Sequence, residues 1–188
     1  DTESRQAAVW ALGNYRDKRT IGSLVEILKD DNKDVRFAAE MALKDKRKTA
    51  AVGPLIRHLK YFDAKVRRTA AEILGHIASK RAVAPLLRRL NDDDHDVRAA
   101  VAHALGPLRD NRVAHSLLRC LEDPSAGVRS NAALGFRYIT GTRTLKTLIT
   151  MLKHHAPELR ESAAQALGHI GDASAVAPLV ECLQDANA

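Results

Sequence analysis

The sequence predicts an all-α protein, an α/α superhelix (solenoid) of six helical hairpins. Three observations predict it. Val-Arg pairs stand at 35–36, 66–67, 97–98 and 128–129, Leu159-Arg160 follows, and every spacing is 31 residues. One period before Val35 lies Ser4-Arg5, so six copies begin at 4, 35, 66, 97, 128 and 159 with no insertion or deletion. Within each copy, two apolar stripes recur at helical spacing. One hairpin cannot bury both of its faces, so the copies must stack.

The elements follow in order along a copy whose positions run from 1 to 31. In the first helix, positions 1, 5, 8, 9 and 12 are apolar, as in Val97, Val101, Ala104, Leu105 and Leu108. Position 10 holds Gly13, Gly75, Gly106 and Gly168, expected to stop the helix because glycine tolerates the left-handed conformation. Positions 12 to 16 make the hairpin turn. A second helix is expected from about position 17 to 26, with Val83, Leu86, Leu87 and Leu90 in the third copy. Pro54, Pro85 and Pro178 fall in its first turn, where a missing N–H costs least. Positions 27 to 31 join one copy to the next.

The copies span 4–34, 35–65, 66–96, 97–127, 128–158 and 159–188, giving one repeat domain over 1–188. Neither end carries the polar cap a solenoid needs. The chain is therefore expected to belong to a longer array, or to self-associate through its uncapped terminal repeats.

Composition narrows the class. Hydrophobic residues make up 45% of the 188 residues but aromatics only 4%, so the core is one of Leu, Val, Ile and Ala. No apolar run approaches the roughly 18 residues of a membrane span, which excludes a membrane protein of that type. Cys120 and Cys182 share position 24 two copies apart, about 20 Å, too far for a disulfide. Reduced thiols fit a cytoplasmic setting. The net charge of +7 admits nucleic acid or acidic partners.

The stretch NDDDHDVR, residues 91–98, has the look of a metal cage. Its position says otherwise, because Asp recurs at positions 27 to 31 throughout the chain. Asp34 and Asp96 stand just before the next helix, where a carboxylate accepts from free N–H groups. An Asp at position 27 precedes the Arg at position 2 by six residues: Asp30 and Arg36, Asp92 and Arg98, Asp123 and Arg129. Tyr61 and His154 occupy the Asp position in the second and fifth copies. Tyr61 and Phe62 are expected to close a stacking defect there rather than to anchor a partner.

The pattern VRxxAAxALG…AVxPLLxxLxD resembles HEAT-like repeats, in particular the short type first associated with bilin lyases, across essentially the whole chain. The resemblance implies an Asp–Arg ladder along the stack, here Asp30, Arg36, Arg67, Asp92, Arg98, Asp123, Arg129 and Arg160. An Arg fork would bridge carboxylates of its own and the adjacent repeat. It also implies that the first helices line the inner, concave surface. Positions 4, 5, 6 and 8 agree, since Ala fills 16 of their 24 sites and small residues let helix axes approach.

Positions 3, 7 and 11 face that concavity and vary in chemistry. In the first two copies they include Trp10, Asn14, Phe37 and Met41. The third and fourth contribute Arg68, Glu72, His76 and His103, and the last two Leu134, Tyr138, Gln165 and His169. Large apolar groups on a solvated face suggest a partner surface. The competing reading tucks Trp10 and Tyr138 into the core.

The function expected is a non-catalytic scaffold that binds a protein through the concave face. A nucleic-acid module is the alternative, because the hairpin-turn edge carries a net +8, including Lys46, Arg47, Lys48, Arg81 and Arg112. A bilin-lyase-like or metal-dependent enzyme subunit is a further alternative, with His76 and His103 as neighbours on the concave face. HEAT-like iron hydroxylases build their site from His-Glu dipeptides, and none occurs here. No cofactor, metal site or placed nucleophile is expected.

Overall fold

The computed structural model describes residues 1–15, 17–45, 49–139 and 141–183. Twelve α-helices and no strands occur among them, two helices per copy. The first helices are α1 (Thr2–Gly13), α3 (Lys33–Leu43), α5 (Ala64–Ile77), α7 (His95–Leu105), α9 (Ala126–Gly135) and α11 (Pro157–Ile170). Their partners are α2 (Lys18–Glu26), α4 (Val52–His58), α6 (Val83–Arg89), α8 (Asn111–Cys120), α10 (Thr142–Met151) and α12 (Val176–Leu183). Short 3-10 turns lead into α4, α6 and α12, with Pro54, Pro85 and Pro178 in the first turn of each helix.

Four of the six first helices start alike, while Ser125 and Ala156 make no side-chain cap before α9 and α11. Position 29 supplies the cap: Asn32 accepts from the Asp34 and Val35 amides, Asp63 from Lys65, and Asp94 from Asp96 and Val97. Asp1 stands at the same phase and accepts from Ser4. This corrects the expectation for Asp34 and Asp96. They lie inside the first turn, where they suit the helix dipole, and the capping side chain is two residues earlier.

α1 ends at Gly13 and α7 just before Gly106, as expected, but α5 and α11 run on to Ile77 and Ile170. The left-handed residue is not at position 10 but at position 13, where Ala78 (φ 57°), Arg109 (φ 49°) and Gly171 (φ 68°) sit. Position 10 is glycine for another reason, which is close approach. A Cβ on Gly13 would stand 3.1 Å from the Ala42 Cβ, and one on Gly106 would stand 3.0 Å from the Gly135 Cα. Position 10 of one copy thus faces position 8 of the next, and the pair must be small.

These contacts hold the first helices in a tight row, whereas the backbones of α2 and α4, α6 and α8, and α8 and α10 stand farther apart. A stack held closer on one side bends toward that side, which makes the row of first helices the inner face. One continuous core runs the length of the stack, from Val9 to Ala175. It consists mainly of Leu, Val and Ala, with Phe136 as its fully buried ring.

One junction breaks the row. The second copy has Lys44 at position 10, and the third has Ile73 at position 8. Ile73 is fully buried, and α3 and α5 pack far less extensively than the other successive first helices. Without the glycine–alanine pair the two axes stay apart.

The ladder is present with a geometry of its own. Arg98 donates from Nε and Nη2 to the two carboxylate oxygens of Asp123, 25 residues later, at 2.8 and 3.0 Å. Its Nη1 donates to the backbone carbonyls of Asp92 and Asp93. Arg67 treats Asp92 and the Tyr61 and Phe62 carbonyls in the same way. Arg5 reaches Asp30 at 3.1 Å. The pairs six residues apart therefore meet through a carbonyl, not a carboxylate, because the Arg fork is already filled by the Asp of its own copy. Each such Asp also accepts the amide two residues on, as Asp30 does from Asn32, which fixes the connecting loop.

Arg36 and Arg129 keep their two carbonyl contacts, and 25 residues on in the sequence Tyr61 and His154 stand in place of Asp. Arg160 holds the carbonyls of His154 and His155. Tyr61 is half-buried, 4.6 Å from the Phe62 ring, with the Lys29 ammonium 4.8 Å above it. Phe62 itself is 84% exposed, so Tyr61 packs into this joint and Phe62 does not.

Candidate functional site

The inner face begins with an apolar cluster. Trp10 on α1 and Met41 on α3 occupy position 7 of neighbouring copies, and Phe37 lies one turn before Met41. They are 46%, 39% and 55% exposed. Neither Trp10 nor Tyr138, at 36% exposed, is tucked into the core. Tyr138 instead lays its ring against Gly106, whose added Cβ would meet the Tyr138 Cδ2 at 2.9 Å. Asn14 is exposed and ends α1.

Beside this cluster the loose α3–α5 junction opens a groove of about 670 Å³, lined by Phe37, Arg36, Glu40 and Arg68 among others. A neighbouring groove of about 740 Å³ takes in Glu72, His76, His103, Arg109 and Tyr138. His76 and His103 are therefore brought to one groove, both exposed. Arg68 links the two grooves, 3.4 Å from Glu72 and 3.9 Å from Asp96.

The junction has its own electrostatics. Burial raises the Glu72 carboxyl above its ordinary range, and the Glu40 carboxylate raises it further, against the pull of Arg68 and Lys44. Glu40 meets Lys44 at 2.6 Å. Glu40 and Lys44 are the members of this site that sequence reasoning passed over. The signal was available: Glu40 breaks the alanine row at position 6, and Lys44 replaces the glycine at position 10.

The far end of the face is quieter. Leu134 and His169 are half-buried, while Gln165 is exposed and hydrogen-bonded to Glu161 at 3.1 Å.

On the basic turn edge, Lys46, Arg47 and Lys48 lie outside the described residues. Arg81 is exposed. Arg112 is committed to Asp110, through Nε and Nη2 at 2.8 Å each. These hydrogen bonds hold the Asp110 carboxyl down to about 2.

The NDDDHD stretch is spent on structure. Asp92 is buried and takes Arg67 and Arg89, and Asp94 caps α7. No three His, Cys, Asp or Glu side chains converge as metal ligands among the described residues. Burial pushes the Cys120 thiol up to about 11, so it is protonated at neutral pH. No described helix is long and apolar enough to cross a membrane.

With this geometry in hand, the likenesses to known proteins are consistent. Among solved structures, the chain resembles the complex of CpcE and CpcF of phycocyanin lyase from Nostoc sp. PCC7120. The identity is 25% and the TM-score 0.61, over 95% of this chain and 76% of that one. It resembles YibA of Escherichia coli at 23% identity and TM-score 0.65, over 96% and 68%. A designed armadillo repeat protein in complex with the peptide (KR)4 shares 18% identity and TM-score 0.58, over 89% and 92%. No curated protein sequence matches. The HEAT repeats family matches residues 1–61, 52–137 and 116–188, and the chain belongs to that family.

Proposed function

We propose that this chain is a non-catalytic scaffold that captures a protein partner along its inner face. The observation that carries the reading is the exposed cluster of Trp10, Phe37 and Met41, set on helices whose other positions repeat. The two adjoining grooves add polar groups that would fix register, among them Arg68, Glu72, His76 and His103. A designed armadillo repeat protein of similar fold is in complex with the peptide (KR)4, which supports the reading.

Affinity capture followed by mass spectrometry tests it, using the wild-type chain beside a Trp10→Ser, Phe37→Ser, Met41→Ser variant. The partner is lost from the variant while its circular dichroism is unchanged. Undiminished capture would place the partner elsewhere.

The repeat domain is also read as one segment of a longer stack or a self-associating unit. Val176, Val180 and Leu183 on α12 are 59%, 48% and 85% exposed, an apolar surface that a further repeat or second copy would cover.

A further inference from the structure

A third groove, of about 930 Å³, lies between α8 and α10 and borders the 740 Å³ groove at Arg109 and Tyr138. It arises from a slip in the fifth copy. There Leu134-Gly135 stands two residues early, so α9 ends at Gly135 and a 3-10 turn follows, Phe136–Tyr138. Phe136 takes the buried place of the usual Leu, and Ile139 closes the groove beneath. The chain then enters α10 through Gly141, which offers no side-chain acceptor to the first-turn amides.

The groove has an apolar floor and cationic walls. Leu118, Ile139, Met151 and Leu159 supply the floor. Arg109, Arg119, Arg137 and Arg143 supply the walls, and none of the four pairs with a carboxylate among the described residues. Of the two carboxylates present, Asp110 is already held by Arg112. At the end of the groove the usual ladder Asp is His154, which removes a negative charge that other copies carry there. Thr144 also lines it. Its side chain is nine-tenths buried, and its hydroxyl makes no hydrogen bond among the described residues.

We propose that this groove docks an acidic peptide segment of a protein partner, with carboxylates on Arg119, Arg137 and Arg143 and an apolar side chain on Leu118, Ile139 and Met151. Charge complementarity selects the sign of the ligand, and the floor selects its class. A nucleic acid backbone offers nothing to an apolar floor, and Tyr138 is the one Phe, Tyr or Trp ring that lines the groove. Thr144 and the uncapped start of α10 add hydrogen-bonding groups suited to a carboxylate. The groove touches the inner face at Arg109 and Tyr138 but contains none of Trp10, Phe37 and Met41, so it stands or falls independently of that cluster.

Selection from a random peptide display library tests the proposal. The wild-type chain is the bait, and an Arg119→Glu, Arg143→Glu variant serves for counter-selection. Both arginines are exposed, so reversal leaves the fold intact, as circular dichroism will verify. The expected result is a family of peptides with Asp or Glu flanking Leu or Phe. Their affinity, by fluorescence polarisation, falls roughly tenfold or more in the variant and declines with added salt. The Trp10→Ser, Phe37→Ser, Met41→Ser variant binds them unchanged. The proposal is overturned if no enriched family depends on Arg119 and Arg143, or if the family is basic or uncharged. It is equally overturned if the inner-face variant abolishes binding, or if labelled single-stranded RNA binds more tightly and loses that binding in the same charge-reversal variant.

Discussion

Gly75 faces Ala104 across the α5–α7 contact so closely that a Cβ added to Gly75 would stand 2.6 Å from both the Cα and the Cβ of Ala104. Helix backbone gives way less readily than a flexible side chain. Gly75→Ala is therefore expected to destabilise the protein by about 1–3 kcal/mol, through overpacking. Gly168 occupies the same position in the last copy but meets nothing within 4 Å. Gly168→Ala should gain up to about 1 kcal/mol, because alanine favours the helix interior. Urea denaturation of the two variants checks both signs. Equal effects would mean that position 10 is glycine for some reason other than contact.

The ladder residues are expected to be unequal. Arg98 has both a carboxylate fork and two carbonyls, whereas Arg36 has the carbonyls and Tyr61 where Asp would be. Arg98→Ala should cost about 2–3 kcal/mol and Arg36→Ala about half of that. Asp123→Ala should lose nearly as much as Arg98→Ala, and the double variant little more than either single one. Additive losses would show that the two side chains act separately.

A missing rung can be restored. His154 Nδ1 accepts the Ala156 amide at 3.2 Å, standing in for the carboxylate oxygen used elsewhere. His154→Asp keeps that bond and adds a partner for Arg129. A gain of about 1 kcal/mol in denaturation is expected, together with weaker acidic-peptide binding in the α8–α10 groove.

Acid should dismantle the ladder within a defined window. Burial opposes ionisation of Asp92, yet the hydrogen bonds from Arg67 outweigh it and hold the carboxyl below its ordinary 3.8. Asp123 is depressed by Arg98 against the same opposition. The unfolded chain therefore takes up protons first. The stabilisation is complete above about pH 4 and is lost as pH falls through the lower folded values. Urea midpoints between pH 5 and 2 should fall steeply for the wild type and less steeply for Asp92→Asn, Asp123→Asn.

His58 sets a second, higher window. It is buried, its Nδ1 donates to the Pro54 carbonyl at 3.1 Å, and its Nε2 has no hydrogen-bond partner although Glu26 Oε1 is 3.8 Å away. Burial pulls the imidazole below its ordinary 6.5, with Lys29 and Arg57 acting in the same direction. The unfolded chain again binds the proton first. Stability should decline as pH drops below about 6.5 toward the folded value. Thermal melts of His58→Phe should lack this slope.

Much of the framework was legible in the sequence because it is enforced once per copy. Val-Arg, the alanines of positions 4 to 8 and the prolines of the second helix each do one local job, so repetition exposes them. The reason for the glycines was not legible, because a left-handed turn and a close helix approach both call for that residue. The ladder partner was misread for a similar reason, since position 27 lies near one Arg in sequence and another in space. At the candidate site, the exposure of Trp10, Phe37 and Met41 followed from their phase. The open α3–α5 junction depends instead on two substitutions, Lys44 and Ile73, which acquire meaning only when the helices are placed side by side. The α8–α10 groove was hidden because its wall arginines come from four places, the turn before α8, α8, the 136–138 turn and α10.

The reach of the ladder also bears on how the chain folds. Each complete rung closes a loop of 25 residues, so no tertiary contact of this kind waits on a distant part of the polypeptide, and the entropy of closure stays small. Such low contact order favours rapid folding that nucleates locally and propagates outward. The incomplete rungs at Arg36 and Arg129 bracket the hairpins between Arg67 and Asp123. Those central hairpins should be the slowest to exchange their amide hydrogens and the last to come apart when the molecule is pulled from its ends.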